Sequence, residues 1–105
     1  MTDMASIEST DIRKIIVACD AGMGSSVMLA SQLRKQLKGL GIEVEHTPVN
    51  SIPADADVVV CHSGLADRAR KTAPGTVLIP FTIFIGDPAV TKLVTTIKNG
   101  GTVHA

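Results

Sequence analysis

The fold is decided by the stretch Cys19-Asp20-Ala21-Gly22-Met23-Gly24-Ser25-Ser26, which separates the apolar run 14–18 from an amphipathic segment that begins at Val27. This order predicts a strand, a glycine-containing loop and a helix. The backbone N–H groups of such a loop can point into one concavity, and the helix directs its positive end to the same place. We therefore expect residues 20–26 to bind a phosphate-sized dianion. The same donors favour a thiolate, so the pKa of Cys19 should lie below that of an ordinary cysteine.

Two common phosphate-binding motifs do not fit this stretch. A Walker loop needs a lysine before its serine or threonine, and no lysine lies between Cys19 and Arg34. A dinucleotide fingerprint that began at Gly22 would need glycine or alanine at position 27, which is valine.

The pattern that remains is Cys-x5-Arg-Ser/Thr, the loop of low-molecular-weight tyrosine phosphatases and some arsenate reductases. Ser25 occupies the position of the arginine, and Ser26 keeps the hydroxyl group. In those enzymes the arginine would neutralise the phosphoryl oxygens in the transition state. Its absence indicates a loop that holds a phosphoryl group but hydrolyses it poorly.

Residues 15–26 resemble the IIB domain of the mannitol-type sugar phosphotransferase system (PTS), and a weaker resemblance extends through 57–62 and 81–84. It implies a phosphotransferase with a phosphocysteine intermediate. Cys19 would accept a phosphoryl group from a phosphohistidine on a IIA domain. It would then pass the group to mannitol or a related hexitol moved by a membrane IIC domain, at the cytoplasmic face of the cell membrane. Two alternatives stay open: a low-molecular-weight phosphatase or arsenate reductase, and a non-catalytic regulatory IIB-like domain of a transcription activator.

Composition restricts the class of protein further. The chain has 105 residues, 45% of them hydrophobic, and a formal net charge of zero, which predicts one small domain and no nucleic-acid partner. No apolar run approaches the roughly 20 residues of a membrane span, so no direct membrane insertion is expected. Two cysteines without a Cys-x-x-Cys pair and three scattered histidines predict no metal site. No cofactor is expected either.

Apolar runs alternate with amphipathic segments along the chain. The predicted strands are 14–18, 42–46, 57–61 and 77–80, and the predicted helices are 27–38, 65–72 and 88–98. This alternation predicts an α/β fold, a three-layer doubly wound sheet of four parallel strands in the order 2-1-3-4, resembling that of low-molecular-weight tyrosine phosphatases. We assign 1–12 to a flexible linker or terminus, 13–99 to the IIB domain and 100–105 to a tail.

Further candidates follow the predicted strands at the carboxyl edge of this sheet, where ligands bind in such folds. His62 and Thr82 are candidates to lie around the phosphoryl group. Met23, Phe81 and Phe84 are candidates for an apolar patch that docks partner proteins, with a place in the core as the alternative.

Other residues receive a structural interpretation. Cys61, inside an apolar strand, is predicted to be buried, with a disulfide to Cys19 under oxidation as the alternative. Asp87 is predicted to cap the last helix before Pro88 rather than to act as a general acid. His46 and His104 are predicted to lie outside the site. The carboxylate of Asp20 is expected to point away from the phosphate, and we assign it no role.

Overall fold

The computed structural model describes residues 6–19, 24–73, 76–82 and 88–104. These form six strands and three α-helices, joined in part by short 3-10 turns. In chain order the elements are β1 (Ser6–Glu8), β2 (Lys14–Cys19), α1 (Gly24–Gln36), β3 (Glu43–Pro48), β4 (Val58–His62), α2 (Ala66–Thr72), β5 (Val77–Phe81), α3 (Pro88–Lys98) and β6 (Thr102–His104).

Four of the strands form one parallel sheet in the order β3-β2-β4-β5. Counted along the predicted strands this is the order 2-1-3-4, so the predicted topology is confirmed. The inner strands β2 and β4 are the continuous apolar runs, as expected for strands covered on both faces. β3 lies at an edge, and most of its side chains are exposed.

Helices cover both faces of this sheet. Ile15 and Val17 of β2 face α1 and α3 in one core cluster, whereas Ile16 and Ala18 face α2 in a second cluster. The alternation follows from the two-residue period of a strand. The three-layer, doubly wound arrangement is therefore the predicted one.

Helix α1 differs from the prediction at both ends. It begins at Gly24 rather than at Val27 and ends at Gln36 rather than at residue 38, so Ser25 and Ser26 lie in its first turn. The leucines at 29, 33 and 37 are buried, but Leu40 is 47% exposed. The helix has ended before Leu40, and Gly39, with φ of 88°, turns the chain away from the core.

β1 and β6 form a separate antiparallel ladder that joins the two ends of the described chain. Thr102 Oγ1 donates a hydrogen bond to Glu8 Oε2 at 2.9 Å, and the Ser9 N–H donates to the Gly101 carbonyl at 3.0 Å. Val103 is buried in the first core cluster. Residues 6–8 and 102–104, assigned from the sequence to a linker and a tail, are thus paired with each other. Three-residue strands carry no periodic signal, and only their long-range pairing orders them.

Asp57 anchors the start of β2, and its substitution gives a test of this fold. Its Oδ2 accepts hydrogen bonds from the backbone N–H groups of Arg13 at 2.8 Å and Lys14 at 3.0 Å. Hydrogen bonds to a charged group contribute about 1.5–3 kcal/mol. We expect Asp57→Ala to lower the free energy of unfolding by about 2 kcal/mol in urea titrations.

The matched control is Asp55→Ala. Asp55 is exposed and contacts the Lys14 ammonium at 3.0 Å, so its loss should cost at most about 1 kcal/mol. Equal losses in the two variants would contradict the anchoring role of Asp57.

Candidate functional site

The carboxyl edge of the sheet brings the predicted site residues together at the level of the backbone. β2 ends at Cys19, β4 at His62 and β5 at Phe81, and α1 begins at Gly24 beside the same edge. Residues 20–23, predicted to bind phosphate together with 24–26, lie outside the described residues. In parallel sheets this is the edge at which ligands bind.

Helix α1 presents its amino-terminal end to this edge. The first N–H groups of a helix have no partner within the helix, and the helix dipole places a partial positive charge there. No acidic residue lies in the first turn of α1, and Arg34 and Lys35 lie in its last turn. No acidic residue of α1 itself therefore offsets the partial positive charge at this end, which favours an anion there.

His62 is held in a defined orientation at the end of β4. Its Nδ1 accepts a hydrogen bond from the Gly64 N–H at 3.1 Å, and its ring meets that of Phe81 edge-on with centroids 5.9 Å apart. A Cβ at position 64 would lie 3.3 Å from Nδ1, so glycine at this position gives the ring room. An Nδ1 that accepts this hydrogen bond carries no proton, so in the tautomer that makes this contact the ring proton lies on Nε2.

Among the described residues, the predicted apolar docking patch is represented by Phe81, which is not at the surface. Phe81 is only 2% exposed and packs in the first core cluster, so its assignment to a partner surface was wrong and the core alternative holds. A residue at the end of a buried strand has one face on the core, and its large apolar area is buried there. Met23 and Phe84 lie outside the described residues, whereas Thr82 is exposed at the carboxyl edge.

The exposed apolar side chains of this region are instead Val27 and Met28, which are 45% and 57% exposed. They lie in the amino-terminal half of α1, off the stripe of leucines that faces the sheet.

Cys61 is a core residue, as predicted. It is fully buried in the second cluster, and its thiol is free rather than bonded to another sulfur. Burial raises the pKa of this thiol to about 11, against a smaller opposite effect of the Arg70 charge. His46 is exposed on β3, His104 ends β6, and Asp87 lies outside the described residues.

The opposite, amino edge of the sheet is the charged one. The Lys14 ammonium lies 3.0 Å from Asp55 and 3.7 Å from both Glu43 and Glu45. The hydrogen bond from Lys14 to Asp55, with these carboxylates, raises the pKa of Lys14. This group stabilises the ammonium and lies at the far edge from Cys19.

No group of three or more metal-ligating side chains was found among residues 6–19, 24–73, 76–82 and 88–104. Within the same ranges no helix has the length and apolar character needed to cross a membrane.

The elements above define a class of protein: a doubly wound α/β domain with a cysteine at the carboxyl end of an inner strand, beside a helix amino terminus. The family model described as "PTS system, Lactose/Cellobiose specific IIB subunit" matches residues 14–96. The chain belongs to this IIB family of the phosphotransferase system, and the resemblance seen in the sequence is confirmed.

Several relatives resemble the chain over nearly its whole length. The "PTS system mannitol-specific EIICB component" of Halalkalibacterium halodurans is 43% identical over 94% of this chain and 22% of the relative. The component of the same name from Bacillus subtilis is 40% identical over 91% of this chain and 20% of the relative. The "PTS system mannitol-specific EIICBA component" of Vibrio cholerae is 44% identical over 90% of this chain and 15% of the relative.

The chain thus spans between 15% and 22% of the length of these curated relatives. Among solved structures, the flavodoxin-like domain of a Synechococcus sp protein has a TM-score of 0.44 and 15% identity, over 83% of this chain and 74% of that chain. A likeness at that level supports no argument about function.

The buried thiol of Cys61 predicts a dependence of stability on alkaline pH. Below its ordinary pKa of 9.0 the thiol is protonated in the folded and the unfolded chain alike. Between about 9 and 11 the unfolded chain loses this proton and the folded chain keeps it, so unfolding becomes easier as pH rises. We expect a loss of at most about 2.7 kcal/mol, since one pKa unit corresponds to about 1.36 kcal/mol.

The measurement is urea unfolding at several values from pH 8 to 10.5, for the wild type and for Cys61→Ala. The variant is less stable because it has a cavity, but it has no thiol at position 61 that could lose a proton. The difference in the free energy of unfolding between the wild type and the variant should therefore shrink as pH rises. A constant difference would contradict the raised pKa.

Proposed function

We propose that this domain is a phosphocarrier of a sugar phosphotransferase system, with Cys19 as the residue that carries the phosphoryl group. The observation that carries the proposal is the position of Cys19, the last residue of an inner parallel strand, five residues before the start of α1. Family membership makes phosphoryl transfer the expected chemistry. The positive end of α1 supports the proposal, because it favours a thiolate and a phosphoryl dianion alike.

In the first transfer the Cys19 thiolate attacks the phosphorus of a phosphohistidine in line. The S–P bond forms as the N–P bond breaks, and the electron pair returns to the imidazole nitrogen. Backbone N–H groups of residues 20–26, with the hydroxyls of Ser25 and Ser26, hold the phosphoryl oxygens. In the second transfer a sugar hydroxyl attacks the same phosphorus, the thiolate leaves, and the hydroxyl proton passes to solvent.

The absence of an arginine at position 25 supports a carrier rather than a hydrolase. A carrier must hold the phosphoryl group until its acceptor arrives, so strong stabilisation of the hydrolytic transition state would be harmful. Backbone N–H groups are dipoles without a full charge. They bind the dianion but do little to accelerate the attack of water on the phosphoryl group.

The names of the relatives support a proposal for the partners and the sugar. The names EIICB and EIICBA describe mannitol-specific proteins that combine components C and B, or components C, B and A. We propose a IIA domain as the phosphoryl donor and a membrane IIC domain with its sugar as the acceptor. Mannitol or a related hexitol is the proposed sugar. The domain then works at the cytoplasmic face of the membrane, tethered through IIC.

Intact-mass measurement and peptide mapping test this function. The chain is incubated with phosphoenolpyruvate, the general phosphotransferase proteins and a mannitol-class IIA domain. We expect one added phosphoryl group on Cys19 in the wild type and in the matched control Cys61→Ala, and none in Cys19→Ser. Adding membranes that contain a mannitol IIC and mannitol should remove the group and give mannitol phosphate.

Two other results would point elsewhere. An unlabelled Cys19 in the wild type would overturn the carrier function. Steady turnover of an aryl phosphate would instead favour the phosphatase, because a carrier releases at most one equivalent.

A further inference from the structure

A cavity of about 280 Å³ lies beside β5, at the edge of the parallel sheet opposite to β3. The residues that line it come from β5, from α3 and from β6. Strand β4 separates β5 from β2, the strand that ends at Cys19. The cavity is therefore distinct from the proposed phosphoryl site.

Most of the lining of this cavity is apolar. Ile79 of β5, Leu93 of α3 and Val103 of β6 are buried and belong to the first core cluster. Ala89, at the start of α3, is half-buried and packs against the same cluster. The cavity thus continues the core towards the surface, and an apolar group bound there would be removed from water.

Among the described residues that line the cavity, one is charged, and it is Lys92. Its side chain is exposed, and within the described parts of the chain its ammonium has neither a hydrogen bond nor an ion pair. The carboxylate of Glu8 lies instead beside β6, where it accepts a hydrogen bond from Thr102 Oγ1 at 2.9 Å. An anionic group would be attracted by Lys92 and repelled by Glu8, so it would lie at the Lys92 end.

The cavity suits a small molecule better than an added strand, although it lies beside the edge strand β5. Pro80 of β5 also lines it. Proline in a sheet is tolerated on an edge strand with its nitrogen towards the unpaired side, and it has no N–H with which to pair a new strand. The volume of about 280 Å³ is at the lower limit of ligand cavities, which have roughly 300–1,000 Å³.

We propose that this cavity binds a small apolar monocarboxylate. The alkyl or aryl part packs on Ile79, Leu93 and Val103, and the carboxylate accepts a charge-assisted hydrogen bond from the Lys92 ammonium. This binding involves no covalent step. It goes beyond the proposed function and does not depend on it, because Cys19 contributes nothing to the cavity.

Two matched ligands test the proposal. Octanoate is the probe, and octanamide has nearly the same shape without the charge. Each is titrated into the 15N-labelled wild type and followed through the backbone amide signals. We expect octanoate to bind with a dissociation constant on the order of 1 mM, as suits so small a ligand. Octanamide should bind about threefold more weakly, the effect of one exposed ion pair. The signals that shift should be those of residues 79, 89, 92, 93, 102 and 103, while those of β3 stay constant.

Three variants locate the two parts of the ligand. Lys92→Gln should weaken octanoate about threefold, to the affinity of octanamide, and leave octanamide unchanged. The matched control is Lys98→Gln, which removes an exposed charge from the last turn of the same helix, outside the cavity, and should bind both ligands like the wild type. Ala89→Leu places a larger side chain in the cavity and should remove the shifts with both ligands.

The contrary results are equally specific. A wild type whose lining residues shift with neither ligand would overturn the site. Equal affinities of octanoate and octanamide in the wild type, or an unchanged octanoate affinity in Lys92→Gln, would overturn the preference for a carboxylate. Lys92 is exposed, so its variant keeps the fold and decides the matter even where Ala89→Leu does not fold. No step requires phosphorylation of Cys19, so these results leave the carrier function untouched.

Discussion

The burial of two adjacent strands on both faces is the constraint on which the rest of the structure depends. Ile15, Ile16 and Val17 of β2, with Val58 and Val60 of β4, have no exposed surface. Such strands cannot lie at the surface of a two-layer fold, because one face of each would then meet water. They require helices on both sides. Parallel strands also require crossovers that return the chain to the same edge.

The crossovers give the two edges of the sheet different chemistry. At the amino edge Asp57 accepts hydrogen bonds from two backbone N–H groups, and the Lys14 ammonium lies among three carboxylates. At the carboxyl edge the described structure has the amino terminus of α1, the His62 ring with its Nδ1 bonded to the Gly64 N–H, and the strand end at Cys19. These charged groups therefore lie at the amino edge, away from the strand end at Cys19.

The proposed carrier has different needs from a hydrolase, although one fold can serve either function. The loop of the phosphatases and this loop share a cysteine and a hydroxyl residue but differ at the position of Ser25. Removing a fixed positive charge lowers the stabilisation of the transition state for attack by water, while dipolar donors can still bind the ground-state phosphoryl group. Retention rather than turnover is then the expected property, and it suits exchange between protein partners.

The sequence by itself determined the order of the four parallel strands and the three helices and the position of Cys19 at a strand end, because the strands and helices follow from local patterns. Continuous apolar runs, glycines after a strand and a leucine stripe are readable within about twenty residues. It also identified Cys61 as a core residue from its apolar neighbours. The early start of α1 and the exposure of Leu40 were not predicted, since helix ends depend on contacts as much as on propensity.

Only the tertiary structure decided the features that depend on residues far apart in the chain. The pairing of Ser6–Glu8 with Thr102–His104 joins segments more than ninety positions apart. The burial of Phe81 depends on which strands and helices surround it, and no local pattern distinguishes a core aromatic residue from a docking one. The contacts of His62 with Gly64 and Phe81 depend on the turn that follows β4 and on the register of β4 and β5. Local sequence encodes which residues form the elements, and the packing of those elements decides which side chains meet.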